Sequence, residues 1–349
     1  MLYVFPIYLF AKNIQSLRMD VFTVSFTLIL SVAILQAVSP SVYTALIGQI
    51  IRFKGAEFGG RGLSILAPEP TDMGFTLFYM FVLISVLAVK STDGRPYAVM
   101  KIGCFSFALL TLSGSSLFAF FFVLLAWLNF SVKKFTYSIF VTLLVFVLLN
   151  WGMSAIPEEM PRPFVMLHSF IGNPLALIGS TSLGYRATHF WIGFSSIVTS
   201  DYLIIGSGIG SLRELGGELL AKSGILDFVP FTQYYDEAMQ RSVRGAQLVS
   251  SAGQLMLEMG VIGLLAIIFL IHWHHSLGAR ESRYIARLVT ISFLLFIFQS
   301  FPLSYPLPWF VLGILCNRNL RVVPPRRLFY SQLSTSQVKS KLLLGRIND

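Results

Sequence analysis

Long apolar blocks, each about 20 residues and separated by short basic segments, constrain this chain more than any other feature. A helix needs about 20 apolar residues to cross a hydrocarbon core about 30 Å thick. Residues 21–39 and 73–89 reach that length. The apolar residues run continuously and do not alternate, so these blocks are not the strands of a membrane barrel. Because lipid offers no hydrogen-bond partner to the backbone, helices are the structure that we expect to span it.

The composition agrees with a surface that faces lipid. Hydrophobic residues make up 55% of the 349 residues and charged residues 12%, about half of the roughly 25% found in soluble proteins. The net charge of +10 raises the alternative of a nucleic-acid-binding protein. The basic residues lie between the apolar blocks and in the tail, where they determine membrane topology. We therefore expect no nucleic-acid partner.

The residue types that usually hold metals are poorly placed for it. Cys104 and Cys316 both fall inside apolar blocks, which supports neither a disulfide framework nor a cysteine metal site. His272, His274 and His275 form a short cluster among arginines at the end of a predicted span. Metal binding by this cluster is the weaker interpretation, and we expect neither a metal nor a cofactor.

The blocks predict an all-α, polytopic membrane protein with about seven to nine transmembrane segments. The predicted spans are 21–39, 73–89, 102–130, 135–154, 253–272, 286–301 and 307–317. The block 102–130 is too long for one span and too short for two, and Ser113-Gly114-Ser115-Ser116 interrupts its centre. We favour two short helices that meet at these serines over one tilted helix.

Basic residues assign the two sides of the membrane. We place residues 12–20, 90–101, 131–134, 274–285 and the tail in the cytoplasm, and the spans then alternate without contradiction. The predicted regions are an N-terminal membrane region 1–154 with a short outer loop 40–72, a large extracytoplasmic loop 155–250, a C-terminal membrane region 251–317 and a basic cytoplasmic tail 318–349.

Ionisable side chains are almost absent from the predicted spans. Glu258 lies about one turn into its helix, and Arg287 lies at a helix edge. Proton-coupled and ion-coupled transporters usually carry ionisable residues inside the membrane. The pattern counts against a transporter and directs attention to the outer loops.

The first outer segment of unusual chemistry is residues 59–72. Its glycines and prolines shape a loop that carries Arg61 and Glu69 just before a span. One interpretation makes these two residues part of a site. The other is a helix start, in which Thr71 or Asp72 caps the helix and Glu69 favours its positive end.

The second outer segment contains Arg186 and His189, which a helix would place on one face. The planar guanidinium of Arg186 suits a phosphate group, although a surface arginine paired with lipid headgroups or acids is the alternative. The run Gly206-Ser207-Gly208-Ile209-Gly210 invites a dinucleotide-binding interpretation. Ser211 stands where that fingerprint needs its third glycine, so we interpret the run as a turn beside a membrane-boundary helix.

Several stretches, taken in order, carry a resemblance to a known family. They are Arg61 to Thr71 with its Glu-Pro-Thr ending, Thr111 to Ser116, Arg186 to Trp191, the Gly206–Gly208 turn, and Leu255 to Gly263. Together they resemble the Wzy-like family of membrane glycan polymerases and O-antigen ligases. The family often has a Ser-Arg pair in its central element, where this chain has Ser113-Gly114. It often has a His-Asn pair where this chain has Val249-Ser250, which lowers the ligase interpretation.

The resemblance implies a GT-C-like fold and glycosyl transfer at the outer face of the bacterial cytoplasmic (inner) membrane. Such a polymerase moves a growing glycan from its undecaprenyl diphosphate carrier onto a new lipid-linked repeat unit. The diphosphate leaving group needs fixed cations, and the acceptor hydroxyl needs a base or an orienting acceptor. The expected diphosphate-binding residues are Arg61 and Arg186, followed by Arg244, Arg213 and Arg162, and the expected catalytic residues are Glu69 and His189.

The implied partners are an undecaprenyl-diphosphate-linked oligosaccharide and membrane lipids, together with a chain-length regulator and a flippase. Three alternatives stay open: an O-antigen ligase, a lipid-linked sugar flippase or other transporter, and a non-catalytic subunit of a glycan assembly complex. A flippase should carry a charged central cavity, and the predicted spans contain no residues for one.

Overall fold

The residues that the structure describes are mostly helical in a computed structural model. The structure describes residues 4–47, 65, 70–91, 95–111, 119–120, 123, 182–199, 204–208, 211, 218–219, 221–225, 229, 237, 250–298 and 306–323. The longer helices within these ranges are α1 (Val4–Asn13), α2 (Met19–Val38), α3 (Pro40–Ile47), α4 (Pro70–Lys90), α5 (Arg95–Leu110), α6 (Ser182–Thr199), α7 (Ser251–Glu281), α8 (Arg283–Phe298) and α9 (Pro306–Cys316). Two short strands, β1 (Ser16–Arg18) and β2 (Arg321–Val323), pair in parallel.

Three of the described helices are long and apolar enough to cross a membrane. They are Met19–Val38, Asp72–Lys90 and Ser251–Glu281. The prediction of a helical membrane protein is confirmed at this level, and the β1–β2 pair was not predicted. The predicted span 135–154 and most of the large loop lie outside the described residues, so the number of spans stays a prediction.

The helix α5 departs from its predicted start. It begins at Arg95, inside the segment expected to be a cytoplasmic loop, and it ends at Leu110. That end lies three residues before Ser113, close to the interruption that the serines predicted. The second half of the block 102–130 lies almost wholly outside the described residues.

Helix α4 occupies the centre of the described bundle. Its apolar window is 67% buried, against 22% for the peripheral helix α2. On one side the Tyr79 hydroxyl donates a hydrogen bond to the carbonyl of Ser292 on α8 (3.2 Å). α2 reaches the bundle through Phe26, whose ring packs on Phe107 of α5 with centroids 5.3 Å apart. The same ring fills the space beside Gly103, where a Cβ would overlap it.

Polar contacts close one end of the bundle, which we call the ion-pair end. The Lys90 Nζ donates to Glu281 Oε1 at 2.6 Å and to the carbonyl of Asn317 at 3.3 Å. The Asn317 side chain donates to the carbonyl of Ile14 at 2.7 Å. The β1–β2 pair lies beside these contacts. This end therefore brings together four segments that basic charge assigned to the cytoplasmic side, namely residues 12–20, 90–101, 274–285 and the tail.

Candidate functional site

Helix α6 carries Arg186 and His189 and packs against the first part of α7 through glycines. A Cβ on Gly193 would lie 2.1 Å from the carbonyl oxygen of Gly253. A Cβ on Gly253 would lie 2.4 Å from the carbonyl oxygen of His189. Small residues let two helix backbones approach this closely. The ring of Phe190 also packs on Phe298 at the end of α8, with centroids 4.6 Å apart. These contacts place α6 at the end of the bundle opposite the ion-pair end.

Arg186 lies against the start of α4. Its Cζ is 5.9 Å from the centroid of the buried Phe75 ring, within the range of a cation–π contact. Phe75 belongs to the first two turns of α4, and Pro70 at the start of that helix directly follows Glu69 in sequence. The structure thus brings Arg186, from the second outer segment, into contact with α4. This is the helix that follows the first outer segment in sequence.

The first outer segment is fixed at Ile65. Its backbone N–H donates to the side chain of the buried Gln36 (2.8 Å), and its carbonyl accepts from the buried Tyr43 hydroxyl (2.7 Å). Ile65 is fully buried with φ at 55°, a conformation that is rare for a β-branched residue. Such strained positions persist where surrounding contacts over-determine them, and they cluster at functional sites.

Two of the seven predicted site residues are described, and both lie on α6. Arg186 is half-buried and His189 is fully buried. The other five lie outside the described residues, so their predicted roles stay predictions: Arg61, Glu69, Arg162, Arg213 and Arg244.

His189 faces inward from α6. Its ring packs on Tyr185, with centroids 4.3 Å apart, and its side chain has no exposed surface. α6 is not one of the three helices apolar enough to span a membrane. Burial lowers the pKa of His189 to about 3, so the imidazole is neutral at pH 7. This geometry fits a packed, uncharged histidine and leaves no surface for an acceptor hydroxyl in this conformation.

The buried His189 is expected to make stability depend on pH. Its pKa in the folded protein is about 3, below the usual 6.5, so the unfolded chain binds the extra proton. Stability is fully present above about pH 6.5 and falls by about 2 kcal/mol as the pH drops to about 5. The measurement is unfolding of wild type and of His189→Phe across that range in detergent. Because the other four histidines remain in the variant, the difference between the two pH profiles isolates His189. Parallel profiles would contradict the assignment.

Helix α7 is broken at Gly260, where φ is 57° and ψ is −136°. A Cβ on Gly263 would lie 2.2 Å from the carbonyl oxygen of Leu255, although eight residues of straight helix cover about 12 Å. Residues 251–259 therefore fold sharply against the helix that follows. The part 261–281 matches the 21-residue length of α4, about 31 Å. The predicted span 253–272 falls inside a segment that is long and apolar enough to cross a membrane, but a glycine with positive φ divides that segment.

The Gly206–Gly208 turn docks on this break. The N–H of Ser207 donates to the carbonyl of Leu257 (3.0 Å), and the N–H of Gly208 donates to the carbonyl of Glu258 (3.1 Å). The N–H of Ile262 donates to the carbonyl of Ile204 (3.3 Å). In an unbroken helix those two α7 carbonyls would accept from residues 261 and 262. The turn thus replaces hydrogen bonds that the break removes.

Glycine is required at the centre of this contact. Gly206 has φ at 69°, and a Cβ there would lie 2.4 Å from the Glu258 carbonyl carbon and 2.5 Å from the Gly260 nitrogen. The Glu258 carboxylate accepts a hydrogen bond from the side chain of Gln254 one turn earlier. The sequence predicted a turn beside a membrane-boundary helix, and the structure shows the turn docked on α7. The break itself was not predicted, although Gly260 lies between Glu258 and a second glycine, Gly263, in an otherwise apolar stretch.

Two of the three clustered histidines contact separate groups. His274 Nδ1 is 2.7 Å from the Leu270 carbonyl, and its ring stacks on Phe293 with centroids 3.8 Å apart. His275 Nδ1 is 3.1 Å from the Thr290 hydroxyl. Among the described residues, no group of three His, Cys, Asp or Glu side chains is arranged to hold a metal ion.

Comparison with known proteins finds no match: no family model, no curated protein and no solved structure matches this chain.

Proposed function

We propose that this protein is a Wzy-like polymerase of undecaprenyl-diphosphate-linked glycan repeat units in the bacterial cytoplasmic membrane. In this proposal the chain has about seven to nine spans, a GT-C-like architecture and a large outer loop. The reaction transfers a growing glycan from its carrier diphosphate to the hydroxyl of a new lipid-linked unit. A chain-length regulator and a flippase are the proposed partners. The motif resemblance is the starting point, and the contacts of α6 supply the physical support.

The two ends of the bundle support a consistent orientation. The ion-pair end collects Lys90, Glu281, Asn317 and the β1–β2 pair, and the neighbouring segments hold much of the basic charge. An excess of Lys and Arg favours the cytoplasmic side. α6 then lies at the outer end, where a lipid-linked diphosphate with a translocated glycan would be found.

The contact of Arg186 with the start of α4 carries the proposal. It holds a guanidinium against Phe75 in the first turns of α4, the helix that follows Glu69 in sequence. The neighbouring apolar helices can accommodate a polyprenyl chain in this proposal. A guanidinium can bind two diphosphate oxygens at once and stabilise the charge that develops on the leaving group. In this proposal the remaining cationic charge for the diphosphate comes from the other expected arginines, Arg61, Arg162, Arg213 and Arg244.

Substitution of Arg186 tests the assignment. Arg186→Ala is expected to remove long-chain glycan, since loss of one preorganised donor lowers rates by about 10²–10³. Arg186→Lys should restore little, because a point charge lacks the planar fork. The matched control is Lys222→Ala, which removes a cation of the same predicted outer loop that is 51% exposed and paired with Glu218. The readout is the ladder of surface-glycan chain lengths, with membrane insertion checked by immunoblot. A normal ladder from both Arg186 variants would eliminate this site.

Deletion of the gene tests the reaction itself. A polymerase defect leaves single repeat units on the outer face, joined to their carrier or transferred as single units. A ligase defect instead leaves finished polymer on its carrier, and a flippase defect leaves single units on the cytoplasmic face. Analysis of lipid-linked intermediates, with a glycosidase or a lectin added to one side of the membrane, separates these outcomes. Either of the last two would overturn the polymerase proposal.

A further inference from the structure

Helix α6 exposes an apolar stripe along one face. Trp191, Phe194 and Val198 are 43%, 37% and 74% exposed, and Ala187 precedes them on the same face. Their spacing follows the helical period. The other side of α6 is buried, with Ile192 and Ile197 among its buried residues, and it packs on α7 at Gly193. A helix outside the three apolar spans thus carries a second apolar surface that the described protein leaves uncovered.

The stripe has neighbours of the same character. Ile204 and Ile205, just beyond the end of α6, are each 66% exposed. The carbonyl of Ile204 accepts from the N–H of Ile262, and Ile262 is itself 46% exposed. From there the exposed apolar face of α7 continues through Leu265, Ile268 and Phe269. The docked turn therefore connects the α6 side of the bundle to the exposed face of a membrane-spanning helix.

We propose that α6 is an interfacial helix whose exposed stripe lies among the acyl chains of the outer lipid leaflet. Three observations favour lipid over a protein partner. First, the stripe lies next to a turn that docks on a span with an apolar, exposed face. Second, α6 contains no acidic residue, and its one Arg or Lys is Arg186, which suits anionic headgroups. Third, the Trp191 indole N–H donates to the carbonyl of Ser223 (3.3 Å) while the ring stays partly exposed, as expected at a membrane interface.

This placement of α6 would fix the depth of the Arg186 side chain in the membrane. An arginine next to a stripe in the acyl region lies near the headgroup phosphates. The lipid contact itself does not depend on the proposed polymerase activity. The consequence for a carrier diphosphate does rest on it, and the following test concerns the lipid contact alone.

Labelled variants in vesicles test the contact. The full chain, with Cys104→Ala and Cys316→Ala, receives one cysteine by Val198→Cys or Phe194→Cys and an environment-sensitive fluorophore. The matched control is Lys222→Cys, at an exposed charged position of the same predicted outer loop. Vesicles of phosphatidylethanolamine and phosphatidylglycerol contain lipids with a nitroxide on the acyl chain. Nitroxide should quench the α6 labels several-fold more than the control label, and aqueous iodide should show the reverse order.

Two results of the quenching experiment would overturn the proposal. Equal iodide quenching at Val198→Cys and Lys222→Cys would place the stripe in water. Protection of the α6 labels from both quenchers would mean that a protein surface, such as a second copy of this chain, covers the stripe. A measurement on the unsubstituted protein guards against disturbance by the label. Photoreactive groups on lipid acyl chains should modify peptides that contain residues 191–198 and 204–205. If residues 262–269 are modified but these peptides are not, the proposal is also overturned.

Discussion

Gly206→Ala is expected to release the turn from the break in α7, whereas Gly208→Ala is expected to leave it docked. Both glycines have positive φ, 69° and 91°, so both variants pay a backbone cost of about 1–2 kcal/mol. The two positions differ in space. A Cβ on Gly206 would overlap the backbone of Glu258 and Gly260, and a Cβ on Gly208 would meet nothing within 4 Å.

The energetic difference between the two variants is expected to be large. Release of the turn loses three backbone hydrogen bonds at the break, each contributing about 1 kcal/mol, and leaves polar groups of α7 without partners. Gly206→Ala should therefore lower the free energy of unfolding by roughly 2–4 kcal/mol more than Gly208→Ala. Unfolding in mixed micelles measures the difference. Proteolysis within residues 200–215 should accelerate in the Gly206 variant alone, and equal cleavage of both variants would contradict the docked geometry.

Loss of Lys90 is the second large effect that we expect. Its side chain is 10% exposed and that of Glu281 is 20% exposed, so the pair is largely removed from water. Lys90→Met leaves the Glu281 carboxylate without this cation, which typically costs about 3–5 kcal/mol. The ends of α4, α7 and α9 should loosen together, since Lys90 also donates to the Asn317 carbonyl.

A double-mutant cycle separates the pair from its surroundings. The variant Lys90→Met/Glu281→Met replaces two charges by apolar side chains of similar length, which is often close to neutral. We expect it to recover most of the stability that Lys90→Met loses, giving a coupling of at least about 2 kcal/mol. The surface pair Arg18–Asp20, with side chains 54% and 32% exposed, is the control, and Arg18→Met should cost less than about 1 kcal/mol. Additive single effects at Lys90 and Glu281 would show that the pair does not couple.

The helical elements were predictable because they follow from local composition. α2, α4, α8 and α9 begin within about three residues of the predicted starts, within the usual scatter of element boundaries. A run of apolar residues without an interrupting turn favours a helix wherever it packs. The start of α5 was missed because its first turn, at Arg95, is not apolar.

The candidate site was predictable in part. Charge and side-chain geometry singled out Arg186 and His189, but their different burial depends on what covers α6. Gly193 on α6 and Gly253 on α7 allow the two helices to approach closely. This approach leaves the side chain of His189 no exposed surface. Nothing in the residues around His189 indicates which residues from elsewhere in the chain will pack there.

The sequence by itself determined the apolar helices and the uneven distribution of basic charge, since length, hydropathy and charge act within each segment. Only the tertiary structure decided that α7 is broken at Gly260 and that residues 204–208 complete it. A glycine in an apolar run is compatible with a straight or a broken helix. The broken form becomes stable when a distant segment supplies the hydrogen bonds that lipid cannot.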